Sequence, residues 1–304
     1  MKDLKFEVMN FDHNETDLNS TNPSRECSLE DMNRKGVWRS LVPLNMSSKW
    51  MLDQGDVQLS AEQVTLVEFA PGKLIFQPQH CTINDVKQTE QCIDATNGQE
   101  LCFVGDSQMR HLAGEVAAAL EHMKIKFDNN NHKTDKKVYL SAKSHLIIDN
   151  WGSMEFSPAE HSQLSNCSVI VVDVGQWQLS WAMINQRKEP FRLQEYADLV
   201  QRILRKYTEL FTAKLFFVGS MPFGQNHRIY FPVGEPGKDY RTDIILREFN
   251  IVAMDACHQV IGANCLNLFE IGDVLRDLSY DLAHFRAPVG SQSALALLSG
   301  ICNQ

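Results

Sequence analysis

The chain alternates short apolar runs with longer helical patterns from residue 101 onward. The runs are four to six residues long and rich in Val, Ile, Leu and Phe, which is typical of strands. Alternating strands and helices indicate βαβ units around a parallel sheet, and right-handed crossovers place the helices on both faces. The predicted fold class is therefore α/β, a three-layer α/β/α sandwich with a central, mostly parallel sheet. The predicted strands are residues 101–104, 145–149, 169–174, 214–218 and 266–271, and the predicted helices are residues 109–123, 194–211 and 240–262.

The first hundred residues differ from the rest of the chain in composition and in hydrophobic pattern. Residues 1–26 are rich in Asn, Asp, Ser and Thr without periodicity, which is typical of a solvated, loosely attached arm. Short apolar runs separated by Pro and Gly follow, so we expect a few strands that wrap the main domain. These runs are residues 57–59, 64–69 and 73–76. The predicted organisation is an arm over residues 1–26 and one domain over residues 27–304, made of a wrapping subregion (27–99) and an α/β core (100–304).

A nucleophile follows the first strand of the predicted core. Residues 101–104 lead into Gly105-Asp106-Ser107 and then into the amphipathic helical pattern, so Ser107 is expected on a strand-to-helix turn. A serine there is exposed at the carboxyl edge of the sheet, where open α/β sheets place their ligands. The first N–H groups of the helix point at the same place and can hold a developing oxyanion.

An acid and an imidazole follow the last predicted strand, in Asp281-Leu282-Ala283-His284. A serine hydroxyl is a weak nucleophile at neutral pH, so it needs a base within hydrogen-bond reach and a third group that orients the base. We assign these roles to Ser107, His284 and Asp281. The order Ser, Asp, His matches the α/β hydrolase order, but the Gly-x-Ser-x-Gly elbow is absent, which favours a different α/β esterase family.

These motifs resemble those of the SGNH (GDSL-like) hydrolase superfamily, and within it the PC-esterase and trichome-birefringence-like branch. That branch carries its nucleophile in Gly-Asp-Ser followed by a polar residue and Arg, as in Gly105-Asp106-Ser107-Gln108-Met109-Arg110-His111, and its acid and base as Asp-x-x-His. The run from Ile170 to Trp177 is similar to another block of the family, a Gly-containing turn that follows a buried strand. The lead-in from Cys27 through Gly36-Val37-Trp38 is similar to the Cys…Gly-x-Trp lead-in of the branch.

The resemblance implies an SGNH-hydrolase-like fold with an N-terminal wrapping extension, and it implies an oxyanion hole. The Ser107 N–H is one expected donor. Many SGNH enzymes place an Asn in the turn after the buried strand, and Trp177 stands there instead, so the second donor stays open between Gln176 and a backbone N–H. Gly175 and Gly152 are the positions where such an N–H is expected, Gly152 being the match to the family's second block.

Four residues are candidates for substrate binding. Asp106 precedes the nucleophile, and Arg110 begins the helix beside it, where a solvated arginine is the alternative. Trp177 can cover the apolar side of a sugar ring, with core packing as the alternative. Arg286 follows the base and suits a substrate carboxylate or phosphate.

The expected chemistry is two-step acyl transfer through an acyl-serine, most simply an acetyl-serine. Water would resolve it in a carbohydrate or small-ester O-acetylesterase, and a sugar hydroxyl would resolve it in an O-acetyltransferase. Both stay open. No cofactor is expected, apart from an acetyl donor such as acetyl-CoA as a co-substrate. The alternative from another class is a catalytically inactive SGNH-like module that binds a glycan or a protein partner.

Composition narrows the partners. The net charge of −9 argues against nucleic acid and against anionic membrane surfaces, because both require a basic face. The ten histidines show no zinc-ligand spacing, so no metal is predicted. The expected partner is a carbohydrate or a small acyl ester.

The cysteines and the sequons bear on the compartment. Disulfides are plausible for Cys27, Cys81, Cys92 and Cys167, which lie in polar, loop-like surroundings, whereas Cys102 is expected to be only a buried strand residue. Four Asn-x-Ser/Thr sequons begin at Asn14, Asn19, Asn45 and Asn166.

The start of the chain shows no signal peptide, and no apolar run approaches the length of a membrane span. Two compartments stay open: the chain is cytoplasmic, or it is the lumenal part of a longer protein. The family resemblance favours the lumen of the secretory pathway (Golgi) or the extracellular space. Membrane attachment would then depend on an anchor outside this chain.

Overall fold

A computed structural model describes about half of the chain. The described residues are 26–33, 36–40, 74–78, 81, 83, 88–89, 91–92, 101–120, 138–140, 162, 164–180, 187, 189, 191–224, 241–273, 275–276, 279, 283–285 and 288–303. The predicted arm, the predicted strand at 145–149 and the apolar runs 57–59 and 64–69 lie outside them.

The described residues form strands and helices in alternation. The strands are β1 (Gly36–Ser40), β2 (Leu74–Pro78), β3 (Leu101–Val104), β4 (Val138–Leu140), β5 (Val169–Val172), β6 (Lys214–Val218) and β7 (Ala263–Leu266). The α-helices are α1 (Leu29–Met32), α2 (Ser107–Ala119), α3 (Leu193–Leu210), α4 (Asp243–His258), α5 (Phe269–Asp273) and α6 (Val289–Cys302), and a short 3-10 helix spans Trp177–Leu179. The predicted helices are confirmed as α2, α3 and α4. None of the described helices has the length and apolar character that crossing a bilayer requires.

Five strands form one parallel sheet in the order β4-β3-β5-β6-β7. From β3 the chain goes first to β4 on one side and then to β5 on the other. The order therefore reverses between β3 and β5, which is the switch point where open α/β sheets bind ligands, beyond the carboxyl ends of the strands. Strands β1 and β2 form a separate antiparallel pair.

Alternate residues of the central strands face two separate cores. One core packs against α2 and α6 and contains Leu101, Phe103, Val169, Val171, Phe216 and Val218. The other packs against α3 and α4 and contains Cys102, Val104, Ile170, Val172, Leu215 and Phe217. Because successive strand residues point to opposite faces, this division places helices on both sides of the sheet. The predicted three-layer α/β/α architecture is confirmed.

The predicted strand at 266–271 is wrong. The last strand of the sheet in the described residues is Ala263–Leu266, and a helix begins at Phe269. The reason is Asn267, whose Oδ1 accepts the N–H of Phe269 at 3.0 Å and a bond from the Asn250 amide at 2.8 Å. This local side-chain acceptor satisfies the start of α5 and ends the strand.

Helix α6 was not predicted, although it is 14 residues long. Its sequence from Val289 to Cys302 contains no charged residue, and most of its side chains are buried. A helix that is buried on all sides has no polar face, so it lacks the amphipathic period by which helices are recognised.

All eight cysteines lie in the described residues, and they form four disulfides: Cys27–Cys81, Cys92–Cys302, Cys102–Cys167 and Cys257–Cys265. The interpretation of Cys102 as only a buried strand residue is therefore wrong. Cys102 is fully buried, but β5 lies beside β3 in the sheet and begins two residues after Cys167. This neighbourhood brings the two Cα atoms to 6.0 Å, within the usual range for a disulfide.

Candidate active site

Ser107 is the first residue of α2 and lies on the turn that joins this helix to β3. The turn is tight because Gly105 lies against Asp173, which directly follows the neighbouring strand β5. A Cβ atom on Gly105 would lie 1.8 Å from Asp173 Oδ1, so no larger residue fits without a shift. Ser107 is half-buried. The predicted strand-to-helix position of the serine is confirmed.

His284 lies against this serine. Its Nε2 atom is 2.6 Å from Ser107 Oγ, although the two residues are 177 positions apart in the chain. In the tautomer that carries its proton on Nδ1, the Ser107 O–H donates to Nε2, which is the arrangement of a general base. Asp281, the predicted orienting carboxylate, lies outside the described residues.

Asp106 holds the turn together from inside. It is 2% exposed, and its Oδ1 accepts the N–H of Gln108 at 2.7 Å, which caps α2. Its Oδ2 accepts the N–H of Gln176 at 3.2 Å. The prediction that Asp106 contacts substrate is therefore corrected: the carboxylate points into the protein and joins the nucleophile turn to the turn that follows β5.

Gly175 makes this junction sterically feasible. Its φ is +70°, a conformation that favours glycine, and a Cβ atom there would lie 1.9 Å from Asp106 Oδ2. On the other side, the Tyr196 hydroxyl donates to the Gly175 carbonyl at 3.2 Å. Any larger residue at position 175 would push the Asp106 carboxylate away.

Gln176 does not offer its donors to a ligand. It is 3% exposed, its backbone N–H donates to Asp106, and its side-chain Nε2 donates to the carbonyl of Met221. We therefore correct its predicted role as an oxyanion donor. It ties the turn after β5 to the loop after β6.

Asp173 and Asp106 are two buried carboxyl groups that interact at the nucleophile turn. Asp173 is 3% exposed, and its Oδ1 accepts the N–H of Asp106 at 3.2 Å. Burial, followed by the negative charge of Asp106, raises the pKa of Asp173 well above its ordinary value. Burial also raises the pKa of Asp106, but backbone N–H donors and His284 oppose the rise. Asp106 accepts more backbone N–H donors than Asp173 does, so its charged form is the better stabilised of the two.

Gln108 and His111 extend the contacts between α2 and the base. Gln108 Nε2 donates to the carbonyl of Ala283 at 2.9 Å, and Gln108 Oε1 accepts the N–H of Met221 at 3.2 Å. The His111 ring packs against the His284 ring with centroids 4.3 Å apart. Ser107 and His111 lie one helical turn apart, so His284 meets both on one face of α2.

The remaining predicted residues lie at the edge of this site or outside the described residues. Arg110 is exposed beside the nucleophile. Trp177 begins the 3-10 helix that follows the turn after β5, at the same edge of the sheet as Ser107. Gly152 and Arg286 lie outside the described residues.

Sequence reasoning missed the roles of Asp173, Tyr196 and Gln108. Asp173 carried a signal, because a charged residue at the end of an apolar run is costly to bury unless it has a partner. The sequence held no signal for the role of Gln108, since both partners of its side chain are backbone atoms.

A small cavity of about 30 Å³ borders His284 and Asp173. Its apolar walls are formed by Met109, Leu112, Val218, Met221, Leu268 and Phe285. Within the described residues, no three His, Cys, Asp or Glu side chains are grouped as metal ligands would be.

No family model and no curated protein matches the chain. Among solved structures it is similar to LAE5, an α/β hydrolase enzyme from the metagenome of Lake Arreo, Spain (10% identity, 68% of this chain and 97% of that chain, TM-score 0.43). It is similar to a putative GDSL-like lipase from Parabacteroides merdae (12% identity, 68% and 95%, TM-score 0.43). It is also similar to a mutant of Axe2, an acetyl-xylooligosaccharide esterase from Geobacillus Stearmophilus (14% identity, 67% and 94%, TM-score 0.39). The assignment to the α/β class rests on the parallel sheet itself.

Proposed function

We propose that the protein is a serine-dependent acyl-ester enzyme of the SGNH type, with Ser107 as nucleophile, His284 as base and Asp281 as the orienting carboxylate. The observation that carries this proposal is the 2.6 Å contact between His284 Nε2 and Ser107 Oγ. Its position at the switch point of the sheet supports the proposal, since ligands of open α/β sheets bind there.

In the proposed reaction, His284 takes the Ser107 proton while Ser107 Oγ attacks the ester carbonyl. The tetrahedral oxyanion forms beside the N-terminus of α2. The side chain of Asp106 takes the N–H groups of Gln108 and Met109, and no described residue accepts the N–H of Ser107. That N–H is therefore the first oxyanion donor. Collapse of the intermediate expels the alcohol, which receives the proton from His284, and leaves an acyl-serine.

The second oxyanion donor is proposed to be a backbone N–H at Gly175 or Gly152. Gly175 follows β5 and lies directly against Asp106, on the same edge as Ser107. Of the two, Gly175 is the one that lies in the described residues.

The proposed substrate is an acyl ester of a carbohydrate or glycoconjugate, most simply an acetyl ester. The family resemblance supports this substrate class through the Gly-Asp-Ser, Gly-x-Trp and Asp-x-x-His motifs. A second support is position, since Trp177 and the exposed Arg110 lie at the same edge of the sheet as Ser107. Transfer to water gives an O-acetylesterase, and transfer to a sugar hydroxyl gives an O-acetyltransferase. In the second case an acetyl donor such as acetyl-CoA is a co-substrate.

The proposed compartment is the lumen of the secretory pathway or the extracellular space. The four disulfides support it, because such bonds persist in oxidising surroundings. The sequon asparagine Asn166 is exposed in a turn before β5, at the amino edge of the sheet. A glycan there would leave the serine accessible at the opposite edge.

A fluorophosphonate probe tests the proposal, because only an activated serine reacts with it. We expect labelling of the intact protein and loss of labelling in Ser107→Ala and His284→Ala. Ser291→Ala is the matched control, since this serine donates to Glu115 at 3.0 Å and lies outside the proposed machinery. Absence of labelling in folded protein would leave the binding module as the better account.

A chromogenic acetyl ester, offered with and without sugar acceptors, then separates the two enzymes. Ser107-dependent release with acetyl recovered on a sugar identifies a transferase. Release to water alone identifies an esterase.

A further inference from the structure

The structure assigns to Gln108 the role of a positioning residue, an inference that rests on the proposed function. We infer that its carboxamide fixes the segment carrying His284 at the distance from Ser107 that proton transfer requires. Gln108 directly follows the nucleophile and is 8% exposed.

One side chain bridges three segments of the carboxyl edge. From the start of α2, Gln108 Nε2 donates to Ala283 O at 2.9 Å, and Gln108 Oε1 accepts the N–H of Met221 at 3.2 Å. Met221 follows β6, and Ala283 immediately precedes His284. The bond to Ala283 therefore holds the backbone from which the imidazole projects.

The Met221 peptide is anchored on both of its polar groups. Its N–H is taken by Gln108, and its carbonyl accepts a bond from Gln176 Nε2. Gln176 in turn donates its backbone N–H to Asp106, beside the nucleophile. The Gln108 bridge is thus supported by the same turn that carries Ser107. A displacement of the segment that contains Ala283 and His284 would have to break the hydrogen bond between Gln108 and Ala283.

The bridge requires a terminal group that has both a hydrogen-bond acceptor and a hydrogen-bond donor, as the Gln108 carboxamide has. Because the Met221 N–H fixes the acceptor end, the donor end of Gln108 must face Ala283. Glutamate has the same size but offers two acceptors, and asparagine is one methylene shorter. Misplacement of a reacting group by about 1 Å costs about 100-fold in rate. The side chain therefore matters for turnover more than for substrate binding.

Gln108→Glu tests the inference, with kcat and KM measured on a chromogenic acetyl ester. We expect kcat to fall by about 10- to 100-fold, KM to change by less than about two-fold, and the circular dichroism spectrum to remain that of the native protein. Gln292→Ala is the control: Gln292 accepts the N–H of Phe76 at 3.2 Å, a hydrogen bond separate from those of Gln108. It should keep its kcat.

A double variant separates positioning from general stability. If Gln108 acts through His284, Gln108→Glu lowers the residual rate of His284→Ala by less than about two-fold. Equal losses in both backgrounds, or an unchanged kcat in Gln108→Glu, would overturn the inference. If Gln108→Glu folds poorly, Gln108→Asn takes its place with the same expectations. Full activity in Ser107→Ala would instead overturn the proposed function.

Discussion

Replacing Gly175 by alanine should destabilise the protein and disturb the nucleophile turn. The glycine has a φ of +70°, where an L-residue costs roughly 1–2 kcal/mol. The new Cβ would lie 1.9 Å from Asp106 Oδ2, so the carboxylate must move and give up its bond with the Gln176 N–H. A hydrogen bond to a charged group contributes about 1.5–3 kcal/mol. The expected loss in the free energy of unfolding is therefore roughly 2.5–5 kcal/mol.

Urea unfolding under non-reducing conditions, followed by tryptophan fluorescence, measures this loss. Gly114→Ala is the control within α2, because a Cβ there meets no atom within 4 Å. It should gain about 0.5–1 kcal/mol from helix propensity. A loss below about 1 kcal/mol in Gly175→Ala, or equal effects at both glycines, would refute the reasoning from the Asp106 contact.

The raised pKa of Asp173 means that its contribution to stability is fully present below its ordinary value near 3.8 and is lost as pH rises through the folded pKa. Asp173→Asn should therefore become more stable relative to the natural protein as pH increases above about 4, in urea titrations at several pH values; a constant difference would contradict this. His111→Ala should lower kcat by about 2- to 10-fold through the lost ring contact with His284, whereas His111→Phe should retain most of it; equal losses in both would count against ring packing. Removing the Cys102–Cys167 disulfide, which closes a loop of 65 residues, should lower the free energy of unfolding by about 4 kcal/mol; an unchanged denaturation midpoint would contradict the pairing.

Three strands of the central sheet, β3, β5 and β6, could be predicted because parallel strands buried on both faces are continuous apolar runs. The same criterion failed near the C-terminus. Asn267 supplies a local acceptor that ends the strand, and α6 has no polar face that would reveal its period.

At the site, the order of Ser107 and His284 relative to the strands was enough to predict their meeting. The inward orientation of Asp106 and the engagement of Gln176 were not predicted. The Asp106 carboxylate accepts backbone N–H groups and the Gln176 side chain donates to a backbone carbonyl, and such backbone groups occur at almost every residue. For the same reason, the sequence did not distinguish Gln108 from an ordinary helix residue, because its partner is the backbone carbonyl of Ala283.

The Cys92–Cys302 disulfide makes a covalent ring of residues 92–302, a span of 210 positions. Ser107 and His284 both belong to this ring. A single proteolytic cut anywhere within it opens the ring into a linear piece but leaves nucleophile and base on one covalently connected molecule. Nicked protein should therefore migrate as one species until its disulfides are reduced, and the serine can keep its base after damage that would divide an unlinked chain.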